Sequence, residues 1–183
     1  MDLRSYAARI APLDNYGKPD ALMFYALGMC GEVAELFRAC LRGGADAVVS
    51  ECGDVCWYAT RLFSAIKTHA GMDESDLAIA ALCAPLHPPY DSSEPIQVAV
   101  FAAGDVAEAV KKTYRDCDGK LSDAGVSRML SGVKAILHAI NKIGVRHNTP
   151  LRYILDANIE KLESRRRRGC LAGGGAMLNG DER

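Results

Sequence analysis

The chain has 183 residues, of which 49% are hydrophobic and 25% are charged, and its formal net charge at pH 7 is −1. The length favours a single domain over residues 1–183, or two small fused units, and the composition predicts a substantial apolar core. The net charge does not indicate a general electrostatic attraction to nucleic acid or to acidic membranes. Because no apolar run reaches the ~18 residues of a membrane-spanning helix and no signal peptide is recognisable, we expect a cytoplasmic protein with reduced cysteines.

The periodicity of the sequence predicts an all-α fold, because apolar residues recur at intervals of three and four and β-branched runs are short. Turn residues separate the helices, most clearly in the proline-rich segment "APLHPPYDSSEP". The predicted helices cover residues 2–11, 20–41, 46–70, 74–83, 95–115, 122–143 and 150–167. The glycine-rich residues 169–183 are predicted to form a flexible tail.

Four carboxylates lie on the second and third predicted helices, among mostly apolar neighbours. Glu32 and Glu35 are three positions apart, as are Glu51 and Asp54, so each pair projects from one face of its helix. The short break at 43–44 predicts that the two helices pack antiparallel. Both pairs are about equally far from this break, and we therefore expect all four carboxylates to converge.

Such a cluster is unfavourable when empty, because like charges repel one another and buried carboxylates lose hydration. A divalent cation removes this cost, and ligands that are all oxygen suit Mg²⁺ or Mn²⁺. One alternative is four solvated acids on an exposed helix face. A second is a di-iron site, which requires Glu-x-x-His motifs, and none of the four histidines follows a glutamate by three positions.

A weak internal repeat appears when the sequence is shifted by 73 positions, which places "ALGMCGEVAEL" on "AVFAAGDVAEA". In this register Glu32 corresponds to Asp105, but Glu51 and Asp54 correspond to Ala124 and Ser127. The repeat indicates either a duplication whose second half has degenerated or the chance similarity of two alanine-rich helices. The duplication would make 20–83 the catalytic half and 95–168 a structural half.

The segments "GEVAEL" and "SECGDVCWY" together resemble the Glu-x-x-Glu and Glu-x-x-Asp signature of the all-α nucleoside triphosphate pyrophosphohydrolases, which include MazG and the dimeric dUTPases. The resemblance extends to "DANIEKLESRRRRG" at 156–169, which is similar to a helix end in phage and bacterial MazG-like proteins, and to the tail "GGGAMLNGDER". It covers residues 20–72 and 150–183 but not the middle of the chain. It implies a four-helix-bundle core of MazG-like type.

The resemblance also implies an activity, the hydrolysis of a nucleoside triphosphate to the monophosphate and pyrophosphate. Two or more Mg²⁺ or Mn²⁺ ions would bind at Glu32, Glu35, Glu51 and Asp54. Of these, Glu32 is the candidate for bridging the ions or orienting the attacking water. Asn158, Lys161 and Arg165 match the motif of the helix end and would hold the triphosphate.

The resemblance also bears on the substrate and on the oligomeric state. Within the phage proteins the chain looks compatible with the MazZ branch, which acts on (d)GTP, although no residue motif here reads guanine. Two other functions remain open, namely a housekeeping hydrolase of the dUTPase type and a helical bundle that binds a nucleotide or a partner without turnover. The resemblance further implies a homo-oligomer, located in the host cytoplasm if a phage encodes the chain.

Overall fold

The computed structural model of the chain describes residues 1–14, 16, 20–72 and 94–169. These residues form an all-α fold, and the described part of the chain contains no β-strand. The six helices are α1 Leu3–Ile10, α2 Ala21–Arg42, α3 Ala45–Ala70, α4 Pro95–Asp116, α5 Asp123–Arg146 and α6 Leu151–Arg167, and a 3₁₀ turn, Ala11–Leu13, follows α1. The helix predicted over 74–83 and residues 170–183 of the predicted tail lie outside the described residues.

The four long helices pack against one another in a cycle. Helix α2 contacts α3 and α4, and α5 closes the cycle by contacting α4 and α3. Only Gly43 and Gly44 connect α2 to α3, so these two helices run antiparallel. Buried apolar side chains from all four fill the space between them, with Met29, Val55 and Ile136 among the least exposed.

Helix α6 lies on the outside of this cycle against α3, and α1 lies against α6. Three contacts connect the N-terminal segment, residues 1–9, with α6. The N-terminal ammonium group lies 3.4 Å from Asp156, and Arg9 forms an ion pair with Glu163 at 2.6 Å. Between them the buried Tyr6 reaches Asn158. The N-terminal helix is therefore docked beside the helix that carries the predicted phosphate-binding residues.

The six predicted helices that fall on described residues agree with the structure except near their ends. The largest difference is in α5, which was predicted to stop at residue 143 but continues to Arg146. Its last turn packs on the following segment, since Gly144 lies against Thr149 and Ile154 and its carbonyl accepts from the Thr149 amide at 2.8 Å. This contact between residues close in sequence stabilises an extra turn that the apolar periodicity alone does not indicate.

Helices α2 and α4 meet at positions that the sequence repeat aligns with each other. The Cys30 thiol donates to the carbonyl oxygen of Ala103 at 3.6 Å, and these residues are 73 positions apart. On one side of this contact, Met23 and Leu27 of α2 lie opposite Ala107 and Tyr114 of α4. Residues that precede Cys30 in α2 thus lie beside residues that follow Ala103 in α4. The two helices are therefore antiparallel.

Within the described ranges, no helix combines the length and the apolar character that crossing a bilayer requires.

Candidate metal and nucleotide site

Three of the four predicted acids come together between α2 and α3. Glu32, Glu35 and Glu51 each offer a carboxylate oxygen, and these oxygens lie within 4.8 Å of one another. All three side chains are partly buried. Helical spacing explains the arrangement, because Glu32 and Glu35 share a face of α2 while the buried Val33 and Leu36 occupy another. The cluster therefore sits at the border between the apolar core and solvent.

The carboxylates of the cluster raise one another's pKa values. Burial raises the pKa of Glu32 to about 7, and the nearby carboxylates of Asp54, Glu35 and Glu51 act in the same direction. Burial is also the largest cause that raises the pKa of Glu51, followed by the charges of Asp54 and Glu35. The ammonium group of Lys161 opposes both shifts. The negative charge of the cluster is thus poorly compensated by the protein's own cations, and Glu32 is the acid most disposed to retain a proton.

One oxygen of the cluster lacks a partner altogether. Glu51 Oε2 is buried and forms no hydrogen bond with any described residue. A buried carboxylate oxygen without a donor or cation costs free energy on the order of 1–3 kcal/mol or more. In the described part of the chain, no basic side chain forms a salt bridge with Glu32, Glu35 or Glu51. The negative charge of these three carboxylates is therefore not balanced by a paired basic side chain.

The fourth acid, Asp54, is adjacent to the cluster but is bound differently from our expectation of four converging carboxylates. Its Oδ2 forms an ion pair with Lys161, and its Oδ1 accepts a hydrogen bond from Asn158 Nδ2 at 3.1 Å. Lys161 also donates to Ser50 Oγ at 3.0 Å. Asp54 faces α6 because α6 supplies a cation and an amide donor, and the three glutamates have no such donors.

The residues of α6 are arranged in order of increasing exposure. Asn158 is 3% exposed, and both ends of its amide are bound within the protein, Nδ2 to Asp54 and Oδ1 to the Tyr6 hydroxyl at 2.6 Å. Lys161 is partly buried, and Arg165 is exposed one turn later. The charge of Arg165 reaches the cluster, because it acts to lower the pKa of Glu51. Two cations therefore flank the acids on the α6 side.

Three contributors to this site were not predicted from the sequence, namely Tyr6, Ser50 and Gly53. A Cβ atom at Gly53 would lie 3.0 Å from both Cβ and Nδ2 of Asn158, so the absence of a side chain allows α6 to approach α3. The position of Gly53 between Glu51 and Asp54 could have indicated a close approach of another helix at this point of α3. Tyr6 offered none, because it lies 152 residues from its partner and outside every motif.

The aromatic residues next to Asp54 pack within the protein. Trp57 lies edge-on to Tyr25, with ring centroids 5.9 Å apart, and edge-on to Tyr58 at 4.7 Å. The Tyr58 ring occupies the space beside Gly28. Burial raises the pKa of Tyr58, and the charge of Glu32 adds to this shift, which places the ring near the cluster.

Two cavities border these helices. The larger, about 440 Å³, is an apolar groove between α2 and α4, and none of the four predicted acids lines it. The smaller, about 270 Å³, lies between α3 and α6 and includes Ser50, Asn158 and Lys161 in its wall, although none of the four acids lines it either. We regard the smaller cavity as the one relevant to the site, since it shares these three residues with the hydrogen bonds around Asp54.

The second hairpin, α4 and α5, carries no matching cluster in the described residues. Asp105, which the repeat aligns with Glu32, forms an ion pair with Arg128 at 3.1 Å. Glu108 pairs with Lys111. Ala124 and Ser127 are exposed and contribute no acid. Asp105 and Glu108 are thus compensated by basic side chains, whereas the three glutamates of the first hairpin form no salt bridge within the described residues.

Models of known protein families, curated proteins and solved structures were all compared with the chain, and none of them matches it. The site must therefore be interpreted from its own geometry. It combines three convergent carboxylates, a fourth held nearby, and two cations on one side.

Proposed function

We propose that the chain is a metal-dependent nucleoside triphosphate pyrophosphohydrolase, which cleaves the bond between the α and β phosphates and releases a monophosphate and pyrophosphate. The observation that carries the proposal is the cluster of Glu32, Glu35 and Glu51, with its buried and unpartnered Glu51 Oε2, beside Lys161. Acids without a paired basic side chain suit a metal ion, and the cations Lys161 and Arg165 on the neighbouring helix α6 suit phosphate.

The donor set fits a hard divalent cation. Every ligand available is a carboxylate oxygen, which Mg²⁺ and Mn²⁺ prefer over nitrogen or sulfur ligands. Glu32, Glu35 and Glu51 would hold the metal, and Asp54 would complete the set from its position against Lys161. When bound, such ions would neutralise the charge of the polyphosphate and activate the attacking water.

The chain's own residues have distinct parts in this proposal. Glu32 would orient the attacking water beside the ions, and its pKa of about 7 applies only without metal, where no cation offsets its burial and the neighbouring carboxylates. Lys161 would bind phosphate as a point charge, and the exposed Arg165 would bind it through a planar pair of N–H donors. Asn158 is buried against Tyr6 and Asp54, so in this conformation its part is to orient Asp54.

A four-helix-bundle core of MazG-like type, arising from an internal duplication, belongs to the same proposal. Helices α2 to α5 form two hairpins of similar size, and the antiparallel contact of Cys30 with Ala103 joins positions that the repeat aligns. Two equivalent hairpins related by a twofold axis would meet in this way at the axis. The second hairpin then supplies packing surface and the first supplies the acids.

One panel of substrates tests the proposal. Each of the common NTPs and dNTPs, with dGTP and dUTP as the discriminating members, is incubated with Mg²⁺ or Mn²⁺, and the monophosphate and pyrophosphate are quantified. We expect equimolar pyrophosphate and monophosphate from at least one nucleotide. Release of inorganic phosphate in place of pyrophosphate would contradict the assigned bond. A preference for dUTP would indicate a housekeeping role, and a preference for dGTP would indicate the MazZ branch.

Two further readouts complete the panel. Nucleotide binding without any product would favour a non-catalytic helical bundle and contradict the enzymatic proposal. Light scattering on the same sample measures the mass in solution, because the resemblance leads us to expect a homo-oligomer.

A further inference from the structure

Tyr6 is a buried residue of α1 whose hydroxyl bonds to a side chain of α6, 152 residues away in the sequence. Its side chain is 0% exposed, and its hydroxyl donates to Asn158 Oδ1 at 2.6 Å. Burial raises the pKa of Tyr6 well above its usual value, so the hydroxyl keeps its proton and remains a donor. Asn158 is buried as well, which removes this hydrogen bond from competition with water.

This hydrogen bond, together with the contact between Asn158 and Asp54, fixes which way the Asn158 amide points. An asparagine amide has an acceptor end and a donor end, and the two ends are chemically distinct. Because the Tyr6 hydroxyl donates to Oδ1, Nδ2 is directed away from α1 and donates to Asp54 Oδ1 at 3.1 Å. With the amide reversed, the Asp54 carboxylate would face a carbonyl oxygen, which is repulsive.

The surroundings leave the amide little room to adopt another arrangement. The backbone of Gly53 borders one side of Asn158, at a distance where an added Cβ would lie 3.0 Å from Nδ2. On the other side of Asp54, Lys161 is anchored to Ser50. Asp54 is thus held at both oxygens, by the amide of Asn158 and by the ammonium group of Lys161.

We propose that Tyr6 is a positioning residue for the metal-binding acids: it orients Asn158, and Asn158 in turn holds Asp54 beside Glu32 and Glu51. This inference rests on the proposed function, since it assumes that the acids bind a divalent cation. It assigns to α1 a part in the site, although α1 contributes no ligand. Partners that orient a ligand typically change metal affinity by about 10–100-fold when removed.

The experiment measures Mn²⁺ affinity, so that it does not depend on turnover. Trp57 is the only tryptophan of the chain and lies one turn after Asp54, so quenching of its fluorescence reports binding of Mn²⁺. We expect Tyr6→Phe, which keeps the ring and removes the hydroxyl, to weaken Mn²⁺ binding about tenfold. A thermal melt of the metal-free variant verifies that it is folded.

Tyr25→Phe is the matched control. Tyr25 is also buried, at 2% exposure, and its hydroxyl also donates to side-chain and backbone acceptors, Asp14 and the carbonyl of Tyr16. It belongs to a different network, which contains Arg61 and none of the four acids. We expect Tyr25→Phe to lower the melting temperature but to leave Mn²⁺ affinity within about twofold of the wild type. An equal loss of affinity in both variants would overturn the inference, because it would show general loosening.

A double-mutant cycle separates a role through Asn158 from any other role. Asn158→Leu removes the donor to Asp54 and should weaken Mn²⁺ binding at least as much as Tyr6→Phe. If Tyr6 acts through Asn158, adding Tyr6→Phe to Asn158→Leu should cause no further loss. Losses that multiply in the double variant would overturn the inference.

A measurement on the wild-type chain needs no variant. Binding of Mg²⁺, which is diamagnetic, should shift the NMR resonance of the Asn158 side-chain amide, and an unmoved resonance would overturn the inference. The failures are distinguishable. A wild-type chain that binds no Mn²⁺ contradicts the proposed function itself, whereas a chain that binds Mn²⁺ equally with and without the Tyr6 hydroxyl contradicts only the role of Tyr6.

Discussion

Lys161 of α6 and Asp54 of α3 form an ion pair with each other, although the resemblance implies a phosphate site for one and a metal site for the other. Both side chains are mostly buried, with 28% and 18% exposed. Each side chain therefore balances the charge of the other when neither metal nor nucleotide is bound. A divalent cation would offer Asp54 a stronger partner, and a polyphosphate would do the same for Lys161, so we expect metal and nucleotide to bind cooperatively.

Lys161→Ala tests this relationship. The substitution removes a cation from the phosphate site and leaves Asp54 without its counterion. We expect KM for the nucleotide to rise tenfold or more, the scale of about 1.4 kcal/mol of lost binding, with a smaller change in kcat. Lys112→Ala is the control, because Lys112 is an exposed lysine of α4 that pairs with Glu108 and with none of the four acids. A KM that rises equally in both variants would contradict the role of Lys161.

The sequence predicts the helices and the acid pairs well, because both depend on local spacing. Residues three positions apart share a helix face wherever the helix lies, so the pairing of Glu32 with Glu35 needs no tertiary information. The short connection at Gly43 and Gly44 then brings Glu51 opposite them. The confirmed all-α class and the three convergent carboxylates follow from these local features.

The rest of the site depends on contacts that local spacing does not encode. Lys161 lies 107 residues from Asp54, and Tyr6 lies 152 residues from Asn158. Whether Asp54 turns toward the glutamates or toward α6 is decided by which charges α6 presents when it docks. The resemblance implies that Lys161 binds phosphate, but it does not indicate that Lys161 pairs with Asp54.

The two hairpins are expected to differ in catalysis. Asp54→Ala should reduce kcat about 100-fold or more, because it removes an electrostatic element of the site. Asp105→Ala should retain most of the activity, because Asp105 forms an ion pair with Arg128 on the second hairpin. Steady-state kinetics on both variants measure the difference. Equal losses would show that the second hairpin contributes acids to the chemistry, against the duplication with a degenerate half.

Removal of the metal provides a third test. Activity should disappear in EDTA and return on addition of excess Mg²⁺ or Mn²⁺, since Glu32, Glu35 and Glu51 would repel a polyanion without cations. Metal at about 100 times its dissociation constant should also stabilise the folded chain by about 2.7 kcal/mol, which a thermal melt detects. Turnover that is undiminished in EDTA would refute the metal-dependent mechanism.

The pKa of Glu32 predicts how the stability of the metal-free chain depends on pH. The pKa is about 7 in the folded chain, against an ordinary value of 4.5. Between these values the folded state binds more protons than the unfolded state, so stability falls as pH rises through this window and the loss is complete above about pH 7. Glu32→Gln cannot ionise. In EDTA at pH 8 the variant should therefore be more stable than the wild type by about 1–2 kcal/mol, after allowance for solvent screening of a half-exposed group.

The comparison is made by thermal melts in EDTA at pH 8 and near pH 4.5, with Glu160→Gln as a control, since Glu160 is an exposed acid on α6. The advantage of Glu32→Gln should be about 2–6 °C at pH 8. It should be mostly lost near pH 4.5, where Glu32 is protonated in the folded state and about half protonated in the unfolded state. Saturating Mg²⁺ should reverse the order at pH 8, because only the wild type keeps the carboxylate as a ligand. If Glu32→Gln gives no advantage at pH 8 in EDTA, or an equal advantage at both pH values, the empty cluster does not destabilise the fold through the charge of Glu32.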